Sequence, residues 1–252
     1  MDKLKDINLG RFSQDRGFWL FVLLILVAFA LLSTGSAVRM LLMLLSLVVA
    51  ITVHECSHAW AAHRLGDDTA SRAGRITLNP LAHLDPMGSL MMLITTITGF
   101  GIGWGKPVPV ATNRLRYGPR LGNGIVSLAG PGANLITAAL FGIAGRLVGV
   151  WGGVPAVLLD VRDYIVLINL VIAFFNLLPI PPLDGFSVLI AALSLIKQDW
   201  SAKAIAALEG LYRYGWMILL GVILLSQFTG FGLLDILVGR PAFALFSLLT
   251  GF

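Results

Sequence analysis

Five consecutive residues, His54-Glu55-Cys56-Ser57-His58, carry the most pointed chemistry in this sequence. On a helix the two histidines stand at i and i+4, so both imidazoles leave from one face, one turn apart. That geometry suits two nitrogen ligands on a single Zn2+ ion and leaves Glu55 close enough to act on a water activated there. The pentapeptide alone arises by chance in many chains, so its surroundings decide its weight. Between Arg39 and Arg64 every residue is apolar or small except this cluster, Thr52 and His63. Ionisable groups are costly inside a membrane helix, and three together ask for a function. A bland polar patch gives no reason to bury two histidines and a glutamate, whereas metal coordination does.

A catalytic zinc takes three protein ligands and keeps one position open. Helix 37–65 offers two. Asp184 is a candidate third, because it follows a proline-broken helix end, Asn176-Leu177-Leu178-Pro179-Ile180-Pro181-Pro182-Leu183, in a segment returning to the same membrane half. The alternative is that Asp184 caps the helix that starts at Gly185, and the residues alone leave both readings open. His83 sits in the proline-bounded loop 79–86, where it either approaches the metal or gates the cavity, or simply hydrogen-bonds within the loop. Cys56 is the only cysteine, which excludes an intramolecular disulfide and any site built on two or four cysteines. Its side chain points roughly 100° from its neighbours on the helix, toward packing and not toward the histidine face.

The rest of the chain must hold this cluster inside a bilayer. Of 252 residues, 57% are hydrophobic and 12% charged, against about 25% charged in a soluble domain, and mean hydropathy is +0.88. The pattern predicts an all-α polytopic membrane protein with about six transmembrane helices, over 18–32, 37–65, 121–150, 161–178, 211–227 and 233–249, the first retained and not a cleaved leader. A polar tail over 1–17 and a single membrane domain over 18–252 complete the division. Ile76 and Leu78 alternate within 67–79, which predicts a short strand or hairpin, and 87–98 is apolar but too short to span, which predicts a re-entrant or interfacial segment. Within 64–120, Arg64, Arg72, Arg75, Lys106, Arg114, Arg116 and Arg120 outweigh Asp67, Asp68 and Asp85. By the positive-inside rule this side, both termini and the opening to the site are cytoplasmic. The net charge of +5 is read the same way, as charge at helix ends in a lipid bilayer and not as a nucleic-acid footprint. At about 1.5 Å per residue, His58 and His54 lie about 9 and 15 Å below Arg64.

Three separated motifs together resemble the site-2 protease family, zinc metalloproteases that cut within membranes. His54 through His58 matches H-E-x-x-H, Gly130-Pro131-Gly132-Ala133-Asn134 matches G-P-x-x-N, and Asn176 through Gly185 matches N-x-x-P-x-P-x-L-D-G at every fixed position. The stretches Gly74 to Pro86 and Trp104 to Pro109 resemble its compact prokaryotic branch, which carries no PDZ or CBS module. The resemblance implies one Zn2+ per chain on His54, His58 and Asp184, with Glu55 as general base and later proton donor. It further implies Asn134 and Asn176 facing the substrate backbone or the developing oxyanion, and a transmembrane protein as substrate. A metal-ion transporter and a catalytically silent membrane scaffold are the competing readings; Glu55 argues against the first and the complete ligand set against the second. Oligomeric state is not legible.

Overall fold

A computed structural model describes residues 37–98, 103–149, 155–228 and 232–251. The expected tail over 1–17 and the expected helix over 18–32 lie outside the described residues. Helix α1, Ala37–Arg64, is 28 residues long, about 42 Å at 1.5 Å per residue, enough to cross a bilayer. Its end is set by Gly66, at φ 101°, a left-handed conformation that glycine adopts without steric cost. Around it the Gly66 N–H donates to the His63 carbonyl (3.0 Å) and the Asp67 N–H to the Ala62 carbonyl (2.9 Å), the paired bonds of a Schellman stop.

The stretch from 65 to 118 is, among its described residues, largely irregular. It holds a one-turn helix α2, Thr69–Arg72, a 3-10 turn at Pro80–Ala82 and helix α3, Pro86–Thr98, of 13 residues. Helix α3 is apolar and too short to span, in agreement with the sequence pattern. The expected strand or hairpin over 67–79 is corrected: among the described residues the β pairing here is an isolated antiparallel bridge between Leu84 and Gly105. Alternation makes a strand only where one face is buried. Ile76 and Leu78 are both surface residues, 37% and 70% exposed, and Gly74 at φ 68° turns the chain instead.

Buried Asp67 ties this stretch together. Its carboxylate accepts from the Thr69 N–H (3.1 Å), the Thr69 hydroxyl and the Ala111 N–H (2.7 Å). Burial pushes the carboxyl up, but those donors outweigh it and hold the group below its ordinary value. The Arg116 N–H closes the loop onto the Leu65 carbonyl (2.8 Å).

The remaining elements are α4, Pro119–Gly149; α5, Ala156–Asn176; α6, Asp184–Ser194; α7, Asp199–Glu209; α8, Gly215–Phe228; and α9, Arg240–Thr250. Among the described residues three helical stretches are long and apolar enough to cross a membrane: Val38–Arg64, Pro119–Val148 and Asp199–Phe228. The expected span 161–178 is a helix, α5, of 21 residues, but its first turns carry Asp160, Arg162 and Asp163 and it is not one of those three. The expected span 233–249 is divided into a π turn, Asp235–Gly239, and α9. The change falls at Arg240-Pro241, where proline cannot donate to the preceding turn.

Helix α4 is the hub and packs on α1, α5, α6 and α9. Lipid tails are as apolar as leucine, so close approach of small residues replaces the hydrophobic effect between membrane helices. Gly124 shows how close: a Cβ there would stand 2.1 Å from Cβ of Ala191 on α6. Gly124→Ala should therefore push α6 off α4 and cost about 1–3 kcal/mol. Thermal unfolding in detergent checks this, and an unchanged midpoint would mean the two helices are not in contact there.

Candidate metal centre

Two α1 side chains and one α6 side chain meet at one point. Nε2 of His54 is 3.1 Å from Asp184 Oδ2 and Nε2 of His58 is 3.3 Å from the same oxygen. The rings of His54 and His58 stand edge to face, 4.5 Å between centroids. The three ligand-type atoms lie within 4.8 Å of one another, and both histidines are buried.

Asp184 reaches this point because of its neighbours. A Cβ at Gly185 would stand 2.1 Å from the Leu177 carbonyl oxygen, so only glycine lets the start of α6 cross the end of α5 this tightly. Asp184 is then the first residue of α6, and Leu183 is the capping residue, with no side-chain cap. The carboxylate is directed at the histidines and not spent on the helix end. Helix α4 supplies the complementary relief. A Cβ at Gly130 would stand 2.4 Å from Nε2 of His58 and 2.8 Å from Cε1 of His54. Pro131, next along α4, offers no N–H to the carbonyl one turn earlier.

The other ring nitrogens settle which atoms face the centre. His58 Nδ1–H donates to the Val126 carbonyl at 2.7 Å; a carbonyl only accepts, so that nitrogen carries the hydrogen. His54 Nδ1–H donates to Asn134 Oδ1 at 2.7 Å. The orientation of Asn134 is fixed independently, since its Nδ2 donates to the Ala50 carbonyl (2.9 Å) and to Asn169 Oδ1 (2.8 Å). Asn169 in turn donates to the Ile165 carbonyl at 2.8 Å. In the neutral form in which imidazoles bind a metal, rings held this way direct two Nε2 lone pairs at a carboxylate oxygen. Three acceptors so close in a buried setting repel unless a cation sits among them. A divalent metal satisfies all three at once, and nitrogen and oxygen donors with hydrogen-bonded rings are the donor set zinc takes. The residues fit a metal ion.

Glu55 is one residue along α1, its side chain 14% exposed. It lies against the extended segment that follows α3: a Cβ at Gly105 would stand 3.3 Å from Oε1 of Glu55 and 2.7 Å from Cγ2 of Ile51. Asn134, His83 and Asn176 each have defined partners. Asn134 is fully buried and its amide is committed to His54, Ala50 and Asn169, so its geometry is that of an orienting group and not of a substrate contact. His83 is also fully buried, its Nε2–H on the Thr77 carbonyl at 2.8 Å, and the ligand cluster among the described residues does not include it. Asn176 donates to the Ile172 carbonyl at 3.0 Å, which uses one of its two amide hydrogens. Sequence reasoning misses Asn169 and Arg75. Asn169 has a signal: it is a buried amide in an apolar helix, two turns before Asn176 and so on the same face. Arg75 in the sequence is only one more positive charge.

The model of Peptidase family M50 matches residues 153–222. YwhC of Bacillus subtilis (strain 168), which carries the name of a zinc metalloprotease, is 40% identical over 152 residues, 58% of this chain and 67% of that protein. Rip2 of Mycolicibacterium smegmatis, likewise named, is 36% identical over 143 residues, 56% of this chain and 53% of its own length. Rip2 of Mycobacterium tuberculosis is 37% identical over 144 residues, with the same shares. No solved structure matches. With a buried His-His-Asp cluster on apolar helices, these likenesses place the chain in peptidase family M50, the site-2 proteases. It is thus a hydrolase of the zinc metalloprotease class and a membrane protein.

Gly130 gives the site its sharpest test. Gly130→Ala should drive a methyl group into both imidazoles and weaken zinc binding by about 10- to 100-fold, the range seen when a ligand's supporting groups are lost. Competition with a chelator measures it; wild-type affinity would show that the rings do not lie against α4.

Proposed function

We propose that the protein is an intramembrane zinc endopeptidase that cuts peptide bonds in the transmembrane segments of other membrane proteins. The observation that carries this is the meeting of His54 Nε2, His58 Nε2 and Asp184 Oδ2 beside Glu55, in helices apolar enough to lie in lipid. His54, His58 and Asp184 hold the zinc, one per chain. The ion, when bound, supplies Lewis-acid activation of water and of the scissile carbonyl.

The chain's own groups do the rest. Glu55 takes a proton from the attacking water and passes it to the leaving amine, so that one hydrogen ends on each new terminus. Asn134, braced by Asn169, and the Val126 carbonyl keep both imidazoles in the tautomer that turns Nε2 inward. Asn176 offers its second amide hydrogen and its oxygen to the substrate backbone. A transmembrane helix has its peptide groups hydrogen-bonded internally, so the substrate must unwind before attack. The extended segment 103–111 beside Glu55 is where an unwound stretch has room to lie. Residues 18–252 act as one membrane metalloprotease domain after a short tail over 1–17. The arginine-rich side, both termini and the mouth of the site face the cytoplasm, supported by the excess of Lys and Arg over 64–120.

Glu55→Gln separates this from a transporter or a silent scaffold. The probe is a fluorescent single-span transmembrane peptide with a glycine-proline break, incubated with the protein in lipid nanodiscs. The wild type should cleave it, and the variant should keep its zinc and its unfolding midpoint while losing at least about 100-fold in rate, as for loss of a general acid–base. Cleavage by both proteins at equal rates would remove Glu55 from the chemistry.

A further inference from the structure

A buried cation faces Glu55 from outside its own helix. Arg75 is 4% exposed, and its Nη2 is 4.0 Å from Oε2 of Glu55. The same guanidinium donates through Nη1 to the Pro107 carbonyl at 3.1 Å and through Nη2 to the Lys106 carbonyl. It therefore binds two successive carbonyls of the segment that lies over the candidate base and stands at ion-pair distance from that base.

That segment is poorly equipped to hold itself. Pro107 and Pro109 have no N–H, so it cannot be laddered to a neighbour as a strand would be. Its backbone pairings are few: the Lys106 N–H on the His83 carbonyl (2.7 Å), the bridge between Leu84 and Gly105, and the Ala111 N–H on Asp67. Between Lys106 and Ala111, Val110 packs on the cluster of Ala61, Ala62, Leu115 and Val126, and the Lys106 and Pro107 carbonyls are held by the guanidinium. The fork of N–H groups on a planar arginine matches two adjacent carbonyls, which a lysine ammonium does not. Gly105 closes the segment on Glu55 with no room for a side chain. A buried cation also needs a counter-charge, and Glu55 is the carboxylate it pairs with.

We propose that Arg75 is a positioning residue of this site: its guanidinium clamps the Lys106 and Pro107 carbonyls over α1 and so fixes both the Glu55 carboxylate and the wall against which a substrate lies. The inference rests on the proposed proteolytic reading for its effect on turnover, and on the structure alone for the clamp.

The test uses the full chain in nanodiscs with Arg75→Ala and Arg75→Lys, each also in the Glu55→Gln background. Hydrogen exchange of the 103–111 segment should be at least about tenfold faster in both Arg75 variants, and equally so in the Glu55→Gln background, because the clamp does not depend on catalysis. Zinc per chain should match the wild type. With the peptide probe, kcat should fall about 10- to 100-fold while KM moves by less than about threefold. Lysine should not rescue the exchange, since it keeps the charge and loses the fork. Wild-type exchange in Arg75→Ala would overturn the clamp. Loss of zinc together with activity would also overturn it, because Arg75 would then be supporting the metal site. If the wild type cleaves nothing, the proteolytic reading fails, and exchange and zinc content still decide the clamp.

Discussion

The constraint on which this molecule depends is that three electron-pair donors converge in a buried, apolar place. Two imidazole nitrogens and a carboxylate oxygen within 4.8 Å are unfavourable there without positive charge between them. The surrounding helices enforce that convergence. Much of the sequence outside α1 can be understood as that enforcement.

The forcing is done by absences of side chain as much as by contacts. Gly130 leaves space for both imidazoles, Gly185 lets α6 begin hard against the end of α5, and Gly124 lets α6 lie on α4. Gly185 and Gly124 bring one element close to another where lipid gives no hydrophobic drive for association. Hydrogen bonds then remove the remaining freedom: Val126 for His58, and the Asn134–Asn169 pair for His54. A buried amide pair of this kind is stable only when every donor and acceptor is used. Asn134 satisfies that condition, and the same completeness takes its amide away from the substrate.

Part of this is legible in the residues. The i, i+4 spacing places His54 and His58 on one face of α1, and the bounds of α1 and α4 follow from Gly66 and from the glycines and prolines around 118–119. Asp184 is legible as a candidate because three prolines precede it, but its choice between helix cap and centre is decided by Gly185, whose effect depends on the α5 backbone it meets. The strand expected over 67–79 fails because two alternating residues say nothing about whether a partner exists. Arg75 is hidden for a related reason: a charge near a membrane surface is usually an interfacial anchor, and only the folded path of 103–111 brings carbonyls to it. Long-range polar pairings of this sort leave no periodic trace in a sequence.

The most direct measurement is the zinc K-edge X-ray absorption spectrum of the purified protein. A centre built from His54, His58 and Asp184 should give two imidazole nitrogens at about 2.0–2.1 Å with the remaining ligands oxygen, at about one zinc per chain. Outer-shell scattering should count two imidazoles, and Asp184→Ala should strip the metal or weaken it sharply. A sulfur shell at about 2.3 Å would place Cys56 on the metal. A third imidazole, or a spectrum unchanged in Asp184→Ala, would remove Asp184 from the centre. Any of these would contradict the convergence from which the rest of the structure has been explained.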